Sequence, residues 1–335
     1  MRRGPLLGIV VVLVLLIGGY CGYWFIAAGR IEEGIGAWAQ SLPRENAELT
    51  WRTIRVGGFP FGFDVRLGEA RLRTAKAPGA ELGAPVFSAS ARPWNPYDWQ
   101  LSAPQGLNGT VGSGQEAVKI AAPNATGAVA ATGNDFAIWF RLDEPVANLP
   151  ERVTADTADF WVILPGRAPQ EHTERALGLA ADLHRLDVSF APAPFKGAID
   201  ELGFGATVLG PIPTGSPRQA AIAWRDSGGT VELDRFALRW GSVAVHGSGT
   251  LALGPDLQPI GAFSGGVAGL DQLIDGLAQA GQLRIGDMTI ARLGLAALAK
   301  PGPDGRPEVS TSFTIQNGQM YLGPLKLGPL PRINW

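Results

Sequence analysis

Residues 6–28 carry no charged side chain. Few structures accommodate an apolar stretch of that length: as a helix it extends roughly 34 Å, enough to cross the hydrocarbon core of a bilayer. Pro5 suits the first turn of such a helix, where its missing N–H is not needed. Tyr20, Tyr23, Trp24 and Phe25 gather toward the far end, as an interfacial aromatic belt does. Arg2 and Arg3 precede the run, whereas Arg30 beyond it is offset by Glu32 and Glu33. This charge asymmetry predicts residues 1–5 in the cytoplasm, a single-pass anchor over 6–28 in the inner membrane, and the bulk of the chain in the periplasm. The competing reading is a cleaved signal peptide with Ala27-Ala28-Gly29 as its site, but the run is long for a signal's apolar region. Cys21 does not read as a lipid attachment point, because Tyr20 occupies the preceding position where a small residue is needed. Ile31, Ile35, Trp38 and Leu42 then recur at helical spacing, predicting a juxtamembrane amphipathic helix over 29–43 that ends at Pro43. It lacks a basic face, so it is expected to dock on the downstream domain rather than lie on the membrane.

Residues 44–335 read as one periplasmic β-rich domain. The chain holds 46 glycines and 26 prolines, which punctuate short apolar runs. Within 57–67 the odd positions Phe59, Phe61, Phe63, Val65 and Leu67 are all apolar, whereas the even ones carry Pro60, Gly62, Asp64 and Arg66. Side chains alternate across a strand, so this predicts a strand with one aromatic face, starting at Pro60 or lying at an edge. Residues 49–56 predict a strand before it. Residues 92–99 read as an aromatic turn with Trp94, Tyr97 and Trp99, expected to cap the end of a sheet core. A helix is predicted from Pro169 to Leu183, with Ala176, Leu177, Ala180 and Leu183 as its apolar face, followed by a strand over 187–190. Residues 191–217 read as loop.

The last third is the most regular. Val231 and Leu233 change parity to Phe236, Leu238 and Trp240, which predicts a bulge, and residues 243–253 alternate strictly. Helices are expected over 270–280 and from Asp287 to Lys300, the second with Ile290, Leu293, Ala297 and Leu298 as its stripe. Asn317-Gly318 predicts a two-residue hairpin turn. The expected fold class is therefore mainly β (α+β): a curved, mostly antiparallel sheet with a few short helices, preceded by one transmembrane helix.

Chemistry is sparse. A formal net charge of -2 gives no electrostatic case for nucleic acid. The single cysteine excludes an intrachain disulfide and a cysteine-based metal site. His172, His184 and His246 lack partners at ligand spacing, and Gly112-Ser113-Gly114 lacks the Lys-Ser/Thr of a phosphate loop. Gly247-Ser248-Gly249 sits inside a strand pattern rather than at a nucleophile elbow. No catalytic residue, metal site or cofactor is expected, and the chain does not read as an enzyme. The candidate ligand-binding residues are Phe59, Phe61 and Phe63, an apolar face beside a membrane anchor.

Residues 58–67, 92–98, 102–106 and the closing 317–328, from Asn317-Gly318-Gln319 to Leu327-Gly328, resemble domain-of-unknown-function family 2125, found mainly in alphaproteobacteria. The resemblance runs over nearly all of the chain after the anchor. It implies an inner-membrane-anchored, periplasm-facing protein, and no activity is implied with it. The strand pattern is more distantly similar to AsmA-type envelope proteins, whose sheets curl into apolar grooves, a likeness at the level of fold alone. Two functions follow as expectations: a module that binds lipid or another apolar envelope ligand, and, as the alternative, a non-catalytic scaffold in an envelope assembly.

Overall fold

A computed structural model describes residues 4–75, 79–112, 114, 117–149, 151–188, 197–213, 215–279, 292, 293, 295, 298–302, 306–323, 325–333 and 335. The fold is mainly β, with antiparallel ladders, in keeping with the pattern of short punctuated runs. Two compact units are formed, Met1–Ala130 with Ala147–Leu149, and Ala131–Val146 with Pro150–Trp335.

Unit 1 begins with one uninterrupted helix, α1 (Gly4–Ser41), so the apolar run and the amphipathic stretch after it form a single rod. The part Val12–Arg44 is long and apolar enough to cross a membrane. Pro43 lies in a closing 3-10 turn, Leu42–Glu45, where Asn46 at φ 59° returns its N–H to the carbonyls of Leu42 and Pro43.

The strands of this unit are β1 (Ala47–Thr50), β2 (Thr53–Gly57), β3 (Phe63–Thr74), β4 (Ala80–Arg92), β5 (Asn95–Ala103), β6 (Leu107–Val111), β7 (Val118–Ala122) and β8 (Asn124–Thr132). β3 is flanked by β1 and β2 along one edge and by β4 along the other. β4 in turn carries β5 and β6, to which β8 and β7 add. The predicted strand over 49–56 is two strands, because Arg52 donates its N–H to Gly68 (2.8 Å) where β3 bulges at Glu69, φ 53°.

The expected single strand over 57–67 is also interrupted. The N–H groups of Phe61 and Gly62 both return to the Gly58 carbonyl, at 3.1 and 2.8 Å, closing a turn over 58–62, and the ladder resumes at Phe63. Gly58 is required there: its φ is +96°, and a Cβ would lie 2.8 Å from the Gly62 carbonyl oxygen.

Unit 2 holds β9 (Asp135–Asp143), the short β10 (Val146–Asn148) at its boundary, β11 (Arg152–Thr154), β12 (Thr157–Pro165), β13 (Arg175–Asp187), β14 (Ala198–Leu209), β15 (Thr230–Trp240), β16 (Val243–Leu253), β17 (Pro259–Ala268), β18 (Lys300–Pro301), β19 (Pro307–Gln316), β20 (Gln319–Leu322) and β21 (Leu325–Pro329). The predicted helix over 169–183 is wrong: these residues lead into β13, held between β12 and β14. The same run also has period two, through Leu177, Leu179, Ala181 and Leu183, and two long neighbouring ladders decide between the readings. Before β13, the Glu174 carboxylate accepts from the N–H groups of Gln170 (2.6 Å) and Glu171 (3.3 Å), building a turn rather than a helix.

Conversely, α2 (Pro217–Asp226) occupies a stretch read as loop. Its start carries a legible signature: Ser216 accepts from the Gln219 N–H, and Pro217 fills the first helical position. The bulge between Leu233 and Phe236 is present, as are the strictly alternating β16, α3 (Leu270–Gln279) and the hairpin turn with Asn317 and Gly318 both at positive φ. Of the expected strand over 187–190, Ser189 and Phe190 lie outside the described residues, as do Asp287, Ile290 and Ala297 of the predicted last helix. Lys300 pairs with Glu308 in β18.

Candidate functional site

The three predicted site residues do not share one surface. Phe63 is 1 % exposed, stacked on Trp24 of α1 with ring centroids 5.6 Å apart. Phe59 meets the same indole edge-on at 5.4 Å and stacks on Phe25 at 5.7 Å. Phe61, by contrast, is 71 % exposed. The parity that unites them in sequence is broken because Phe59 and Phe61 belong to the 58–62 turn and only Phe63 belongs to the strand.

From Phe63 onward the apolar face of unit 1 is a core closed by α1. Val65, Leu67 and Ala70 are buried against Ile31, Ile35, Ile54, Val56 and Phe87, with Trp99 at the margin. The Trp24 indole N–H donates to the Gly62 carbonyl at 2.9 Å, giving the aromatic seam a polar latch. The closure is incomplete further along, where a hollow of about 390 Å³ runs between Ile31, Ile35 and Trp38 of α1 and Val65, Leu72 and Leu82 of the sheet.

Unit 2 builds its apolar face from cross-strand rows. One row runs Phe140, Phe160, Ala181, Phe204, Phe236, Gly247, Gly265, Thr311 through successive ladder partners. Its neighbour runs Ile138, Val162, Leu179, Ala206, Leu233, Gly249, Phe263, Phe313, Leu322. Every side chain in the second row is apolar, so an unbroken greasy surface extends across the ladder from β9 to β20. Near β16 and β17 the facing glycines Gly247 and Gly265 contribute no side chain. The surface sinks there into a hollow of about 350 Å³, walled by Leu233, Phe236, Val245, Phe263, Phe313 and Leu322. That volume is within the range of small-ligand sites.

This face is only partly covered. At one end α2 seals it: Ala221 and Trp224 are buried with Leu253 and Leu257 against Val208 and Val231, and the Trp224 indole N–H donates to Leu209 at 2.8 Å. Between the ends, Phe140, Phe204 and Leu322 remain 37 %, 39 % and 38 % exposed. Large apolar side chains standing that open in a contiguous surface mark an interaction site more often than a surface defect.

The opposite face of the same ladder is polar and internally paired. Arg141 clasps Asp159 through two hydrogen bonds of 2.8 and 3.0 Å, Arg235 reaches Asp182 at 2.6 Å, and Arg239 reaches Glu201 at 3.2 Å. Asp159 and Asp182 are direct cross-strand neighbours, so each carboxylate takes its own guanidinium. The hydrogen bond and charge of Asp159 raise the Arg141 pKa above its ordinary value. His246 meets Glu308 at 2.9 Å on this face, across Gly266, where a Cβ would collide with the Glu308 carboxylate. Among the described residues no group of three or more His, Cys, Asp or Glu side chains is arranged to hold a metal ion.

The alternation in β15 and β16 is the sequence signal for this surface. What the sequence does not display is the joining of β9, β12, β13 and β14 to it, since β13 reads equally well as a helix. A family model described as an uncharacterized protein conserved in bacteria (DUF2125) matches residues 24–331. No curated protein and no solved structure matches the chain.

Proposed function

We propose that this chain, which belongs to the DUF2125 family of uncharacterized bacterial proteins, is a membrane-tethered module that holds an acyl chain or a comparable apolar envelope ligand on the open face of unit 2. The observation that carries the reading is the unbroken apolar row from Ile138 to Leu322, whose members include the exposed Leu179 and Leu322. A face of this kind in contact with water costs roughly 25 cal/mol for each Å² of apolar surface, and an apolar ligand recovers that cost on binding. On the polar face Asp159, Asp182 and Glu201 are each matched by an arginine, and the hollow of about 700 Å³ beside His246 and Glu308 is lined largely by serines and charged groups, which do not suit an acyl chain.

The tether is α1, and its charge flanks favour an N-terminus in the cytoplasm, with both units in the periplasm. Phe59 and Phe63 are assigned to the seam that α1 makes with the strands of unit 1 rather than to the ligand, and the exposed Phe61 stands outside that seam. No reaction is assigned: the module binds and does not catalyse.

The test is photocrosslinking in nanodiscs containing the full chain and a phospholipid with a diazirine at its acyl terminus. Crosslinked peptides are expected from β14, β15 and β20, around Phe204, Phe236 and Leu322. Crosslinks confined to α1 would contradict the assignment.

A further inference from the structure

The anchor and unit 1 are joined closer to the bilayer than the apolar run alone implies. A helix needs about 20 residues to cross a hydrocarbon core of about 30 Å, which counted from Leu6 reaches Phe25. Yet α1 is already bound to unit 1 at Tyr20. The Tyr20 hydroxyl donates to the Pro60 carbonyl, the Tyr23 hydroxyl to Pro93 at 3.1 Å, and the Trp24 indole N–H to Gly62 at 2.9 Å. Residues 6–19 alone extend only about 21 Å, short of the core thickness. The residues that complete the span are thus the ones that carry the 58–62 turn and the tip of the β4–β5 hairpin with them.

These two segments have the composition that the boundary of a bilayer favours. Phe61, Trp94 and Tyr97 are 71 %, 65 % and 72 % exposed. Tyr23 and Phe25 of α1, themselves exposed, touch the same two segments through Pro93 and Phe59. The Arg92 guanidinium lies 5.6 Å from the Trp94 ring centroid, pairing a cation suited to phosphate headgroups with an aromatic suited to the interface. Phe61 also lines a hollow with the polar Asp64, Arg92, Asn95 and Asp98.

We infer that the 58–62 turn and the tip of the β4–β5 hairpin insert Phe61, Trp94 and Tyr97 into the headgroup and outer acyl region of the bilayer that holds α1, so that unit 1 rests on the membrane as well as hanging from it. The inference depends on the reading that α1 spans the bilayer, and the occupant of this surface is the lipid interface itself.

The experiment uses the full chain with Cys21→Ala, reconstituted in phosphatidylethanolamine/phosphatidylglycerol vesicles. Nitroxides are placed singly at Phe61→Cys, Tyr97→Cys and, as control, Ala75→Cys just beyond the far end of β3. Circular dichroism confirms that each labelled chain is folded; all three sites are exposed, so the labels need not disturb a core. Power saturation then compares oxygen with a water-soluble nickel chelate. Labels at 61 and 97 are expected to be oxygen-accessible and to lose chelate accessibility relative to the label at 75. Equal chelate accessibility at all three sites, in a chain that resists alkaline carbonate extraction, would overturn the inference and leave the anchor intact. Release of the chain by carbonate would overturn the anchor, and the inference with it.

Discussion

Unit 1 and unit 2 use the same device, alternating antiparallel strands that gather apolar side chains on one face, and differ in what lies over that face. In unit 1 the cover is the chain's own helix, and Phe63, Val65 and Leu67 are buried beneath or beside Trp24, Ile31 and Ile35. In unit 2 the covering helix α2 is short and sits at one end, and Phe140, Phe204 and Leu322 remain accessible outside its cluster. The same pattern therefore serves stability in one unit and, by the reading proposed above, recognition in the other. Apolar strand faces do not declare which they will be; the reach of the nearest helix decides.

The comparison can be broken by truncation. Phe63→Ala removes a fully buried ring from the seam and is expected to cost about 3–5 kcal/mol in chemical denaturation of the full chain. The polar face of unit 2 supplies the next largest effect. Arg141→Met leaves the nearly buried Asp159 without its guanidinium, for a loss of about 2–4 kcal/mol in the same assay. Phe204→Ala, by contrast, truncates a ring that is already more than a third exposed, and a loss of about 1 kcal/mol or less is expected. If Phe204→Ala were as costly as Phe63→Ala, the open face would be a core after all.

The smallest effect concerns pH. The backbone N–H groups of Gln170 and Glu171, and then the nearby Arg167, hold the Glu174 carboxyl below its usual pKa. A depressed folded-state pKa contributes stability above the unfolded pKa, and that contribution is lost as pH falls through the folded value. Glu174→Gln should therefore lower stability slightly at neutral pH and flatten the acid limb of the stability profile, measured by thermal melts between pH 3 and 7.

Much of this arrangement is legible from local pattern. The long apolar run is read from length alone, and α1 contains a stretch long and apolar enough to cross a membrane. The alternation of β16 and the Asn317-Gly318 turn are fixed by parity and positive φ, both local properties. Phe59, Phe61 and Phe63 mislead because period two can persist through a turn: Gly58 and Gly62 fold the chain back while the odd positions stay aromatic. β13 misleads because an apolar run with alanines satisfies both periods, and only the long ladders of β12 and β14 settle it. The closure of one face and the openness of the other are tertiary facts, set by where α1 and α2 lie, and no window of sequence contains them.

The central claim, that the ligand sits on the open face of unit 2 rather than in the hollow beneath α1 in unit 1, is tested most directly by native mass spectrometry of the full chain released from nanodiscs. The comparison is between the unaltered protein and a variant with Phe140→Glu, Phe204→Glu and Leu322→Glu, three changes at partly exposed positions on that face. The account predicts lipid adducts on the unaltered chain and their loss from the variant, with the circular dichroism spectrum unchanged. Equal adduct occupancy in the two would contradict it.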